Sequence, residues 1–197
     1  MISLTGLILL SLIVLSAFVA VRILNRTMKD KGFKVNGTLN IAVILTVTVA
    51  LCAIGDSYTW ILKGIIFALI LLYASVQDRT NREADDCLFV MILLLCLCNA
   101  SRLSIPSMLG GFCITFVPML AMTVLCSKGF GGADIKIAGA SGFMLGAAGG
   151  AIGLVAGLLL AVAFNLIYNK VKGRDNSNSF PMLPFLSAGL MLGYFIY

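Results

Sequence analysis

No histidine occurs anywhere in the 197 residues. Without an imidazole to act as base, neither a Ser-His nor a Cys-His nucleophile can be assembled. The six cysteines, Cys52, Cys87, Cys96, Cys98, Cys113 and Cys126, form no C-x-x-C pair, which excludes the usual structural zinc site. Most of them lie inside apolar runs, where cysteine behaves as a small hydrophobe. Charge is scarce too. Only 11% of the residues are charged, and eight are Asp or Glu, against about a quarter charged in a soluble domain.

What remains is apolar. The chain is 60% hydrophobic with a mean hydropathy of +1.07. Its length suits one domain, and its composition that of an integral membrane protein. Eight apolar segments are expected, near residues 3–21, 39–55, 59–77, 87–101, 105–126, 135–148, 150–169 and 180–197. Spanning helices need about 20 apolar residues. The fourth and sixth are short, and must borrow flanking residues, thin the bilayer or cross only partly. Ala147-Ala148-Gly149-Gly150 is all that separates the sixth from the seventh. The fold class expected is an all-α, polytopic transmembrane helix bundle of about eight spans.

The few charges set the orientation. All of the 14 Lys and Arg except Lys63 and Arg102 fall in alternate loops, at 22–38, 78–86 and 127–135 with adjoining Lys136, and at 170–178. Loops rich in Lys and Arg are cytoplasmic, so both termini are expected outside. The first segment lacks a basic n-region and reads as an N-out anchor rather than a cleaved signal peptide. The basic stretch 22–36 suits anionic lipid headgroups. Nucleic acid is not an expected partner, because the charges lie in short loops between spans.

Two carboxylates stand at the boundary of apolar segments on that same side. Asp78 ends the third segment, within Gln77-Asp78-Arg79-Thr80-Asn81-Arg82-Glu83-Ala84-Asp85-Asp86. Asp134 begins the sixth, within Gly129-Phe130-Gly131-Gly132-Ala133-Asp134-Ile135-Lys136. Ionisable residues at such depth are costly and mark functional sites by default. A separation of 56 positions leaves room for two spans and returns the chain to the same face, so an acid-base pair is expected. The bland readings are a solvated loop around Asp78 and an N-capping Asp134 in a flexible turn. Asp85 and Asp86 suit a helix start. A divalent-cation site from Asp78, Glu83, Asp85 and Asp86 is the competing use of these oxygens.

Small residues and prolines complete the pattern. Gly142, Gly146 and Gly150, and Gly149, Gly153 and Gly157, recur at four-residue spacing, which lets membrane helices pack closely. Pro106 is expected to start the fifth span and Pro118 to kink it. Pro181 and Pro184 should stiffen the start of the last helix.

Three of these segments, in this order, resemble the type IV prepilin peptidase family, membrane aspartyl proteases of the Gly-x-Gly-Asp class. Asp78-Arg79 with Arg82 is similar to its first motif, Gly131-Gly132-Ala133-Asp134-Ile135-Lys136 to its second, and Pro181-Met182-Leu183-Pro184-Phe185-Leu186 to the start of its last helix. The resemblance covers residues 59–197 as a six-helix core and leaves 1–58 as a two-span N-terminal segment. Ala133 and Leu183 stand where the family has glycine, and Ala84-Asp85-Asp86 where many members have Ile-Pro-Asn. If the Ala133 position required positive φ, alanine would be strained by about 1 kcal/mol or more.

The resemblance implies an aspartic endopeptidase that removes the cytoplasmic leader of type IV prepilin-like substrates, whether Tad/Flp pilins or pseudopilins, in the cytoplasmic membrane of a prokaryote. Asp78 and Asp134 would be catalytic, with Arg79, Gly131, Gly132, Ala133 and Lys136 in support. The partners implied are a prepilin or pseudopilin and membrane lipid; no metal and no cofactor are called for, and the oligomeric state is left open. Larger members add a zinc loop with two C-x-x-C pairs and a methyltransferase activity. This chain has no such pairs, so it resembles the short, peptidase-only type. The competing readings are an ion- or proton-coupled transporter built on broken helices and a non-catalytic component of a pilus or secretion machine.

Overall fold

The computed structural model describes residues 4–55, 57–97, 103–125, 130–172 and 180–196. Cys98, Arg102, Cys126, Lys128, Gly129 and Arg174 lie outside the described residues. The chain is an all-α bundle of α1 (Leu4–Asp30), α2 (Gly37–Ile54), α3 (Tyr58–Asn81), α4 (Asp86–Leu97), α5 (Ile105–Leu125), α6 (Gly132–Lys172) and α7 (Leu183–Ile196). Five of these helices are long and apolar enough to cross a membrane, and the protein is a multi-pass membrane protein. Leucine, isoleucine and valine that face outward on α1, α2, α5 and the second half of α6 suit a lipid surround, which imposes no cost on exposed apolar side chains.

Helix α3 is the axis, with α1, α2, α4 and α7 all packed on it. Trp60, Phe67, Leu71 and Ala74 are buried along its length. Near its start Tyr194 of α7 stacks on Trp60 and donates its hydroxyl to the Trp60 carbonyl at 2.7 Å. Near its end the Ser75 hydroxyl lies 2.9 Å from that of Ser187 of α7, and both hydroxyls reach the Leu71 carbonyl. The N-terminal pair has its own lock. Asn40 of α2 donates to Asn25 of α1 at 2.7 Å, and Asn25 donates to the Gly37 carbonyl. A buried amide pair of this kind fixes register, because sliding either helix leaves polar groups unpaired.

Helix α6 is two helices. Gly146 adopts φ 72° and ψ −178°, a conformation essentially reserved for glycine. A Cβ on Gly150 would lie 3.1 Å from the Gly142 Cα, although eight residues of straight helix span about 12 Å. The chain therefore folds back at Gly146. The two glycine series serve different partners. Gly142 and Gly146 face Gly111 of α5, while Gly153 and Gly157 face Gly189 and Leu186 of α7. With the fold-back counted, the described residues form eight helical segments, as the apolar pattern indicates, but the break lies at Gly146 and not in the 147–150 spacer.

Other boundaries differ from the sequence reading. The loop expected at 22–38 is helical to Asp30, because nothing between Val21 and Asp30 opposes a helix and long basic side chains snorkel. It ends at Gly32, φ 80°, with Phe33 N–H to the Met28 carbonyl and Gly32 N–H to the Lys29 carbonyl, a Schellman cap. Lys63, one of the two cations outside the basic loops, is buried within α3. α3 runs on to Asn81, so Arg79 is helical rather than in the 78–86 loop. The last helix starts at Leu183, not near 180. Pro106 does sit in the first turn of α5, and Pro118 lies within that helix.

Candidate active site

Three helix ends meet at one end of the bundle: the C-terminus of α3 and the N-termini of α6 and α7. Asp78 lies in the last turn of α3 and is buried. Its carboxylate Oδ2 accepts the Leu183 N–H at 3.1 Å, and the Met182 N–H also faces it. These are orphan donors of the α7 N-terminus, which has no intrahelical partner for them. Pro181 and Pro184 flank them without donors of their own, so the two amides left are those that point at Asp78.

The chain leaves α3 through Arg82, whose φ of 61° is the one positive φ among the described non-glycine residues. Its N–H caps the helix on the Asp78 carbonyl at 3.0 Å. A left-handed arginine costs about 1–2 kcal/mol, yet it turns the chain sharply and keeps the guanidinium within electrostatic range of Asp78. Gln77 then clamps the loop. Its amide donates to Asp85 Oδ2 at 2.6 Å and its carbonyl oxygen accepts the Asp85 N–H at 3.1 Å.

Asp134 occupies the first turn of α6 and is equally buried. Its carboxylate reaches back to the N–H of Gly131, the acidic half of a capping box. A Cβ on Gly131 would sit 3.2 Å from Asp134 Oδ2, whereas Gly132 has nothing within 4 Å of such an atom. Neither glycine has positive φ, and Ala133 is helical and unstrained. Smallness, not a special backbone angle, is what this turn uses. Asp78 and Asp134 lie within electrostatic range of one another.

The supporting residues divide. Lys136 does not turn to the carboxylates; its Nζ pairs with Asp86 Oδ1 at 2.6 Å, both side chains being about half exposed or more. It ties the start of α6 to the start of α4. An exposed pair of this kind contributes about 0.2–1 kcal/mol. Lys136→Met is therefore expected to leave the melting temperature of the purified protein within a few degrees of wild type, and any activity within about fivefold. The carboxylates proposed for a cation are likewise apart in role, with Asp78 on Leu183, Asp85 on Gln77 and Asp86 on Lys136. Among the described residues no three metal-ligating side chains cluster.

Arg79, Arg82, Asn169, Phe180, Pro181 and Phe185 line a cleft of about 1030 Å³, whose wall includes the chain neighbour of Asp78 but neither Asp78 nor Asp134. Residue types alone did not show the Leu183 and Met182 amides as partners of Asp78, nor the Gln77 clamp. The only sequence signal for the former is the pair of prolines that bracket two residues still carrying N–H groups.

Comparison with known proteins bears on this geometry. The family model described as the type IV leader peptidase family matches residues 65–168, a stretch that holds both Asp78 and Asp134 and leaves α1, α2 and α7 outside. No curated protein and no solved structure matches the chain. With more than half of its length covered by that match, the chain belongs to the type IV leader peptidase family.

Proposed function

We propose that this peptidase is an aspartic endopeptidase whose dyad is Asp78 and Asp134, and that it removes the leader of a type IV prepilin or pseudopilin at the cytoplasmic face of a prokaryotic inner membrane. The observation that carries this reading is the convergence of two buried carboxylates from helices separated by two spans, each held by backbone N–H groups. Two like charges at close range do not both ionise readily, so the pair shares one proton. The ionised carboxylate takes a proton from water, the protonated one hydrogen-bonds the scissile carbonyl, and water attacks directly. No acyl-enzyme forms. The proton belongs to the pair rather than to either residue.

Three features support the assignment of surrounding roles. The Leu183 and Met182 amides hold Asp78 in one orientation. The open Gly131-Gly132 turn leaves backbone space beside Asp134 for an extended peptide. Arg79 and Arg82 border the cleft through which a chain would reach the dyad. We take residues 59–197 as the peptidase core and 1–58 as a two-span N-terminal segment; the family match, 65–168, lies inside that core and stops short of α7. Tad/Flp pilins and competence pseudopilins are the substrate types that suit a short, peptidase-only member.

Co-expression with a tagged prepilin, read by pilin mobility and N-terminal sequencing, tests this. The expected result is a shortened pilin that starts at the first mature residue. Absence of processing across several prepilins, with the protein inserted and folded, would overturn it. No methyl transfer is expected: labelled S-adenosylmethionine should leave the new pilin N-terminus unlabelled, and incorporation of label by the pure protein would refute the peptidase-only assignment.

A further inference from the structure

A second cavity of about 450 Å³ runs along the bundle between α2, α3 and α7, lined by Val43, Leu71, Leu72, Met191, Leu192 and Phe195 among others. We propose that this groove binds one acyl chain of an anionic phospholipid, with its phosphate held at Arg79.

Dimensions choose the occupant. The lining runs from Ala68 to Arg79 on α3 and from Pro184 to Phe195 on α7, in each case about 16 Å of helix. That length is about half of a hydrocarbon core of about 30 Å, the depth that one acyl chain of a leaflet occupies.

Polarity agrees with size. The polar side chains in the wall are already engaged, Asn40 with Asn25 and Ser75 with Ser187 and the Leu71 carbonyl. They leave the groove an apolar surface. Val43 and Leu192 are about half exposed, so the groove opens sideways to the bilayer. The cation stands at one end. Arg79 is exposed and makes no ion pair or hydrogen bond among the described residues. Arg79 and Pro184 line both this groove and the wider cleft that holds Arg82 and Asn169. An apolar slot that ends at a guanidinium complements a molecule with one apolar chain and an anionic head, and basic pockets between membrane helices bind such heads. Its place between α2 and α7 gives the N-terminal pair a role as one wall of a lipid site next to Asp78.

The full-length protein, purified in a mild detergent, is titrated with dioleoyl phosphatidylglycerol or dioleoyl phosphatidylcholine, and bound lipid is counted by native mass spectrometry. Wild type is expected to hold one phosphatidylglycerol at least tenfold more tightly than phosphatidylcholine. Arg79→Gln should remove that preference and Arg79→Lys keep it. Val43→Trp, which fills the groove from α2, should lower occupancy at least tenfold; Ala188→Phe repeats the test from α7 if that variant does not fold, as judged by helical circular dichroism. Dihexanoyl phosphatidylglycerol should bind at least tenfold more weakly than the dioleoyl form. Equal retention of the two dioleoyl lipids, unchanged occupancy in the folded groove-filling variants, or full displacement by inorganic phosphate would overturn the proposal. So would one-for-one displacement by a peptide of the substrate's apolar segment, which would assign the groove to the substrate.

Discussion

Replacing Asp78 or Asp134 by asparagine is expected to abolish leader removal, with a loss of at least about 10²–10⁴-fold in rate, while the bundle stays folded. The geometry makes the substitution clean. Asp78 is held by the N–H of Leu183 and Asp134 by the N–H of Gly131, and the carbonyl oxygen of asparagine accepts both bonds. What asparagine lacks is the ability to exchange a proton. If the two carboxylates share one proton, loss of either partner removes both the base that activates water and the acid that polarises the carbonyl. The double variant should then be no worse than either single one, because residues that act as a unit are strongly non-additive. The check is pilin N-terminal sequencing after co-expression, with protein level and helical circular dichroism recorded for each variant. Full processing by either single variant would sink the dyad. Loss of processing together with loss of folded protein would point instead to a structural need for the carboxylate, as the cap of α7 or of α6.

How much of this was legible beforehand depends on which kind of signal each feature leaves. Asp78 and Asp134 stand out because a carboxylate beside a long apolar run is costly, and the two spans between them bring the chain back to the same end. The glycine series announces close packing, since no other residue lets membrane helices approach so far. The same series hides the turn. Gly146 belongs to a four-residue repeat with Gly142 and Gly150 and looks like another packing glycine, yet it is the residue at φ 72°. Lys63 falls within the expected third segment, but nothing in its residue type announces that α3 buries it. Lys136 is placed by sequence beside Asp134, but residues two apart on a helix do not share a face, and it pairs instead with Asp86 on α4. The least legible contact is that of Asp78 with α7, 105 residues away. It is made by backbone amides, which every residue but proline has.

The fold-back at Gly146 carries the second large effect. Gly146→Ala is expected to prevent assembly of the α6–α7 half of the bundle. At φ 72° and ψ −178° an L-residue is strained, and the new Cβ would lie 2.8 Å from Ser107 Oγ and 3.1 Å from Leu103. Ser107 Oγ also receives the Ala147 N–H, the first donor released by the break, so the hydroxyl cannot swing away freely. Strain and overpacking together come to about 2–6 kcal/mol, a large part of a domain's stability. A straight α6 offers no escape. Its 41 residues would span about 60 Å, twice the hydrocarbon thickness of about 30 Å. Straightening would also draw Gly153 and Gly157 away from Gly189 and Leu186, which strips α7 of the surface that holds Leu183 against Asp78. Loss of folded protein in Gly146→Ala, measured as monodisperse yield and melting temperature in detergent, should therefore be accompanied by loss of processing. Gly132→Ala is the control. It lies in the same helix, two residues from Asp134, with nothing within 4 Å of the added atom, and it should melt within a few degrees of wild type. A Gly146→Ala protein as stable as Gly132→Ala would mean that the turn does not depend on the glycine, and the two halves of α6 would then have to be held together by their packing against α5 and α7 alone.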